Sequence, residues 1–278
     1  MIKTQLSFQQ GNAKLAKSIA TFSLPAGHSC PFAFECLSKS NRETGHIKDG
    51  PFTKFRCFAA SDEARSPSVR NSRWGNYNLL RACTSLEAMA NLIQDSIPKG
   101  TIACRVHVSG DFFSERYFLA WLNVSLNNPQ IVFYGYTKAT PFIVNYRKYL
   151  PHNFRFTASH GGTRDDLISA HSLKSALVVL SVEEAITKGL EIDHNDSLAY
   201  GGQNSFALLI HGTQPVGTKA NEAWKKLTRQ GIWGYGKSTV HEKKKDVRIY
   251  VSPLTFKTTK SKVSINANLK IKTRKSVH

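Results

Sequence analysis

From residue 101 onward the chain repeats one unit, a short β-branched or aromatic run followed by a polar elbow and an amphipathic stretch, and this rhythm constrains the fold more than any other feature. Such alternation is the signature of βα units around a parallel sheet. TIACRVHV reads as a buried strand, and SERYFLAWLNVSL places Tyr117, Phe118, Trp121, Leu122 and Val124 at helical spacing behind Ser114 as N-cap. Strands IVFYGY, FRFTAS, ALVVLS and FALLI follow, interleaved with helices at PFIVNYRKYL, DDLISAHSL, VEEAITKGL and KANEAWKKLTRQ, the last two closed by Gly189 and Gly231. Two architectures produce this pattern, an open doubly wound sheet and a full or partial (β/α) barrel. No GxGxxG element follows a strand, which argues against a dinucleotide fold. The expected class is therefore α/β, a parallel-sheet (β/α) barrel-like or partial-barrel arrangement with an N-terminal cysteine-containing loop region. Upstream, LLRACTSLEAMANLI reads as one amphipathic helix carrying Cys83, and Cys104 sits inside a strand as a buried thiol.

The βα pattern stops after Gly236, so the expected organisation is an α/β unit over 1–236 and a basic tail over 237–278. The whole chain carries +19, and the tail holds twelve Lys or Arg against Glu242 and Asp246. A field of this sign attracts polyanions, and the tail reads either as a nucleic-acid-binding arm or as a solubilising extension. The first twenty residues are polar, and no run of eighteen apolar residues occurs. The expectation is a soluble protein of a reducing cytoplasm, with no membrane partner. In that compartment clustered cysteines serve as metal ligands or reactive thiols more often than as disulfides.

In parallel α/β folds chemistry gathers where strands end and loops begin. The elbow HVSGDFF offers Ser109, Gly110 and Asp111; YTKA offers Thr137 and Lys138; TASHGGTRDD offers Ser159, His160 and Asp165; HGTQPVG offers His211. Asp111, Lys138, His160, Asp165 and His211 are the candidate catalytic groups, and Ser109, Gly110, Thr137 and Ser159 the candidate cofactor-binding ones. His107, one residue inside its strand, reads as a satisfied core histidine, and Asp193, His194 and Asp196 form a polar segment with the composition of a turn. The pair Gly161-Gly162 would either cradle a phosphate or make a flexible turn.

Cys30 lies in a loop before Pro31, Cys36 follows after five intervening residues, and Cys57 after twenty more. Loop thiols of this kind suggest a shared metal. Zinc would take a fourth ligand, for which His28 or His46 is available, whereas a [4Fe–4S] cluster could be held by the three cysteines with one iron left open. The spacing matches neither a C-x₂-C knuckle nor a tight three-cysteine run.

The succession FSLPAGHSCP, CLSKS, DGPFTKFRCFAAS, RVHVSGDFFS, FYGYTKA, FTASHGG, GLEIDHNDS and SFALLIHGTQPVGT closely resembles the bacteriophage gene product 88 family, over about residues 10 to 235. That family has no established activity, so the resemblance implies a viral or prophage source and a host cytoplasm rather than a function. The cysteine loop and the SGD elbow are also similar to those of radical S-adenosylmethionine barrel enzymes. That similarity implies Cys30, Cys36 and Cys57 as iron ligands and SGD as the elbow holding the methionyl group of S-adenosylmethionine. The two expected functions are an Fe–S- or metal-dependent enzyme acting on a nucleotide or nucleic acid, and a basic nucleic-acid-binding accessory protein with structural Zn²⁺ on the three cysteines and His28.

Overall fold

The computed structural model describes residues 4–11, 15–233 and 237–238. At its centre stands a seven-stranded sheet. Strand β1 (Gln9–Gln10) pairs antiparallel with β2 (Ile19–Ser23) at one end. Then come β5 (Ala103–Ser109), β6 (Val132–Thr137), β7 (Phe154–Ser159), β8 (Ser175–Val179) and β9 (Phe206–Leu209), each parallel to the one before. The parallel strands lie in unbroken chain order, so the sheet lacks the reversal that defines a doubly wound fold. Strands β1 and β9 occupy its two ends, and no closed barrel forms among the described residues. Between β2 and β5 lie a separate hairpin, β3 (Ser38–Ser40) with β4 (Ile47–Asp49), and helices α1 (Phe58–Arg65), α2 (Pro67–Ala82) and α3 (Leu86–Ser96).

Both sheet faces are buried, as parallel strands with crossover helices require. Phe22, Cys104, Val106 and Phe133 pack on one face against Leu80, Ile93, Phe118 and Trp121 from the surrounding helices, α4 (Glu115–Asn127) among them. Residues of the opposite parity, including Ile19, Ala103, Tyr134, Ala176 and Phe206, meet Ala199 and Tyr200 of the short helix α8 (Ser197–Gly201). The expected N-cap of α4 forms, with the Ser114 hydroxyl accepting from the Tyr117 amide at 3.3 Å. Helix α5 (Thr140–Asn145) begins around Pro141, but the PFIVNYRKYL pattern breaks at Tyr146 and continues as a 3₁₀ turn. The LLRACTSLEAMANLI pattern also divides: Ser85 caps α3 by accepting from Ala88 at 3.0 Å, a local bond that competes with a continuous helix. Helices α6 (Asp166–Ala170), α7 (Val182–Thr187) and α9 (Lys219–Arg229) stand where the periodicity predicts them.

Strands β10 (Ile232–Trp233) and β11 (Lys237–Ser238) pair across the boundary expected at residue 236. Residues 239–278, most of the tail read from the sequence as a nucleic-acid-binding arm or a solubilising extension, lie outside the described residues. Among the described residues no helix is long and apolar enough to cross a membrane.

Candidate functional site

A cavity of about 410 Å³ opens where the parallel strands end, within the size range of small-molecule sites. Ser109, Gly110 and Asp111 line it from the end of β5, Thr137 and Lys138 from β6, Ser159 from β7 and His211 from the loop after β9. Cys30, Cys36 and Cys57 line the same space from the segment after β2. Of the residues singled out in the sequence as candidate catalytic, cofactor-binding or metal-ligating groups, His160 and Asp165 are absent from the lining, as are His28 and His46, the two histidines offered as a fourth zinc ligand.

The Asp111 elbow is built by backbone geometry. Gly110 has φ +85°, and a Cβ there would meet Ser29 Oγ at 2.5 Å and Leu24 Cβ at 2.6 Å, so a side chain is excluded both by conformation and by space. The turn swings Asp111 beneath the cavity, where it is 5 % exposed. Its carboxylate accepts from the Phe112 amide at 2.7 Å, Thr137 Oγ1 at 2.5 Å and the Lys138 amide at 2.8 Å. Burial raises its pKa, and these donors with the Lys138 charge oppose that shift. The Lys138 ammonium is itself held by Ser159 Oγ and the His160 carbonyl, each at 2.7 Å. The elbow therefore carries a buried carboxylate in a fixed orientation beside a fixed cation.

The twenty residues between Cys36 and Cys57 do not separate the two thiols in space, because they fold back on themselves. Gly50 donates to the Leu37 carbonyl at 2.7 Å and Lys54 to the Glu35 carbonyl at 2.7 Å, closing the base of the β3–β4 hairpin. The loop between Cys30 and Cys36 is pinned in turn by the Gly161 carbonyl, which accepts from the amides of Phe34 at 3.1 Å and Glu35 at 2.9 Å. The Asp165 carboxylate shapes that Gly161-Gly162 turn by accepting from both amides, at 2.7 and 2.9 Å. His160 turns aside to Ser175 Oγ at 3.1 Å. Asp165 and the glycine pair thus position the cysteine loop.

All three thiols are free and half-buried. Each lies close enough to the others for its charge to matter: burial first, then Asp111, Cys57 and Cys36, raises the Cys30 pKa well above the ordinary thiol value. Burial and the Cys36 charge push Cys57 up to about 11, against the opposing amides of Ala59 and Ala60 at the start of α1. Without a cation the Cys30 and Cys57 thiols stay protonated at neutral pH. Because the folded pKa of Cys57 lies above the unfolded one, the stability it contributes is complete below about pH 8.5 and is lost as pH rises through about 11. Iodoacetamide should accordingly label Cys57 in metal-free protein several-fold more slowly at pH 8 than it labels a short cysteine peptide, accelerating toward pH 11. Equal rates at pH 8, read by mass spectrometry, would contradict this environment.

The two histidines considered as a fourth zinc ligand stand elsewhere. His28 Nε2 donates to the Ser40 carbonyl at 3.0 Å and its ring packs on Trp74, while His46 is exposed near the hairpin turn. His211 donates from Nδ1 to the Leu209 carbonyl at 3.0 Å and packs on Phe58. The loop after β9 is further clasped to the segment leading into α1, since the Gln214 side chain accepts from the Arg56 amide at 2.8 Å and donates to its carbonyl at 3.0 Å. Loops from the first and last parallel strands thereby meet at the mouth although β2 and β9 do not pair.

One part of the cavity floor is absent from the sequence-based candidates. Arg105, in the middle of β5, forms an ion pair with Asp196 at 2.7 Å, with side chains 9 % and 2 % exposed. Tyr134 and Tyr136 donate to the same carboxylate at 3.3 and 3.1 Å. Asp193 and Asn195 do make the turn expected of that segment, but Asp196, at φ +66°, reaches inward. The available signal was an arginine inside an otherwise apolar strand, a residue that is buried only when paired. His107 is the core histidine expected, its Nε2 2.9 Å from Tyr117 Oη, and burial lowers its pKa to about 3. Its φ of +67° bulges β5 between the pairs Thr21–Arg105 and Ser23–Ser109, which sets the register of the SGD elbow.

Fold and site together define a mixed α/β protein with a largely apolar cavity, carrying a few fixed polar groups, at the carboxyl ends of parallel strands. A sequence model of the gene product 88 family matches residues 4–231, and the chain belongs to that bacteriophage family. No curated protein and no solved structure matches it.

Proposed function

We propose that this chain is a radical-S-adenosylmethionine-like enzyme acting on a nucleotide or nucleic acid, with a [4Fe–4S] cluster on Cys30, Cys36 and Cys57. The observation that carries the reading is the meeting of these thiols with the Asp111 elbow in one cavity. Parallel strands in unbroken order, with the first and last loops clasped at the mouth, support a partial (β/α) barrel as the frame. The donor set fits the cofactor. Thiols suit iron–sulfur clusters and zinc alike, but a zinc site would need a fourth ligand, and His28 is committed to Ser40. Among the described residues no three His, Cys, Asp or Glu side chains already stand as a ligand shell, so loading would draw the thiols together and release their protons. When bound, such a cluster supplies the single electron that cleaves S-adenosylmethionine reductively.

The remaining residues have definable work. Asp111 would hold the methionyl ammonium through the face of its carboxylate turned to the cavity, with Ser109 and Gly110 shaping the approach. Thr137 and Lys138 keep that carboxylate oriented and oppose the rise that burial gives its pKa, and Ser159 fixes the Lys138 ammonium. His211, fixed as the Nδ1–H tautomer, would present Nε2 chemistry to a substrate at the mouth. The excess of positive charge would draw a polyanionic substrate. The test is release of 5′-deoxyadenosine and methionine from S-adenosylmethionine in anaerobic protein reduced with dithionite. Asp111→Asn should lower the rate about a hundredfold with iron content retained. No 5′-deoxyadenosine from iron-loaded wild-type protein would refute the reading.

A further inference from the structure

The β3–β4 hairpin and the loop that leads into it carry two features that neither the fold nor the cavity requires. The first is an exposed aromatic pair. Phe34 and Phe52 stack with centroids 4.7 Å apart and planes 22° from parallel, yet they are 38 % and 61 % exposed. Their backbones are held: the Phe34 amide donates to the Gly161 carbonyl at 3.1 Å, and Thr53 bonds the Leu37 carbonyl through Oγ1 at 2.7 Å. They form a rigid apolar platform facing solvent, beside Ala33, Cys36 and Phe55 of the cavity lining.

The second feature is a pair of like charges. Lys39 and Lys48 stand directly opposite each other across β3 and β4, both exposed. Like charges in opposed cross-strand positions destabilise a ribbon. No ion pair engages either lysine among the described residues, and the nearby Asp49 and Glu35 are paired with Arg56 at 2.5 Å and with Lys54. A bound anion between the two ammonium groups would remove the repulsion. An exposed aromatic pair and two lysines opposed across the adjoining strands are the two components of a single-strand binding surface, one for the face of a base and one for its backbone.

We infer that the β3–β4 hairpin is a docking arm for single-stranded nucleic acid, with Phe34 and Phe52 stacking a base and Lys39 and Lys48 holding phosphate beside the cavity mouth. This rests on the nucleic-acid reading above and narrows it from a free nucleotide to a strand. A duplex keeps its bases stacked on one another and would leave the platform unused.

The test is fluorescence anisotropy on the full chain, with labelled DNA and RNA single strands of about 20 nucleotides and the matching duplex. The double variant Phe34→Ala/Phe52→Ala should weaken single-strand binding by about tenfold or more, with duplex binding held within about twofold. Lys39→Gln/Lys48→Gln should reduce the slope of log K against log salt by about 1.4 for the single strand, two phosphate contacts' worth, whereas the phenylalanine variant leaves the slope unchanged. All four side chains are exposed or, at Phe34, at the edge of exposure, and circular dichroism matching wild type verifies folding. Single-strand affinity within about twofold of wild type in both variants, or equal losses for strand and duplex, would overturn the inference. The assay needs no cofactor, so a colourless protein that shows the hairpin effects would remove the cluster and keep the arm, and an active enzyme lacking them would do the reverse.

Discussion

Anaerobically reconstituted Cys57→Ser protein should retain less than about a tenth of the wild-type iron and lose the absorption near 400 nm. The substitution is close to isosteric, and the backbone bonds of Cys57 survive it: its amide still donates to Ser38 Oγ at 3.3 Å and its carbonyl still accepts from Ala60 at 3.1 Å. An alkoxide is inaccessible at neutral pH, so a serine supplies no soft anionic ligand. Cys30→Ser and Cys36→Ser should behave alike, because each removes one corner of the same set. Cys83→Ser and Cys104→Ser provide the contrast, since Cys104 lies in the helix-covered core and Cys83 ends α2, away from the cavity lining. Iron loss on changing Cys104, or none on changing Cys57, would contradict the assignment.

Asp196→Ala should cost about 3–5 kcal/mol of unfolding free energy, because it leaves the Arg105 guanidinium buried without its carboxylate. The loss also removes the acceptor shared by Tyr134 and Tyr136. The double replacement Arg105→Met/Asp196→Leu should recover only the part due to the ion pair, since apolar groups of similar volume do without it, while the acceptor of the two tyrosines stays lost. Urea titration of the three proteins measures both effects, and a single-variant cost below about 1 kcal/mol would show the pair to be dispensable.

The sheet was legible because βα units write themselves twice, as short apolar runs and as helical periodicity, and every strand from β5 to β9 carries both marks. Strand β2 carries neither: IATFS is short, nearly all buried and followed by a loop rather than a helix, so nothing local separates it from its surroundings. It is also the strand that launches the cysteine segment. Gly110 and Asp111 were readable as an elbow since a glycine closing a strand announces a turn. The convergence of Cys36 with Cys57 was expected from thiol chemistry alone, while the means of it was not readable, because it depends on backbone bonds at Leu37–Gly50 and Glu35–Lys54 that leave no trace in side-chain type. His160 and Asp165 looked like site residues for a related reason: they occupy a strand-end loop, but that loop is spent on anchoring the cysteine segment. Arg105 and Asp196, ninety-one residues apart, could be matched only by asking what a charge inside an apolar strand must meet.

Everything proposed for the cavity depends on whether three thiols take up iron and sulfide together. Metal and acid-labile sulfide analysis of the full chain, prepared and reconstituted without oxygen, measures this directly. The account predicts about four iron and four sulfide per chain. One zinc per chain with no iron, or no metal at all, would contradict it.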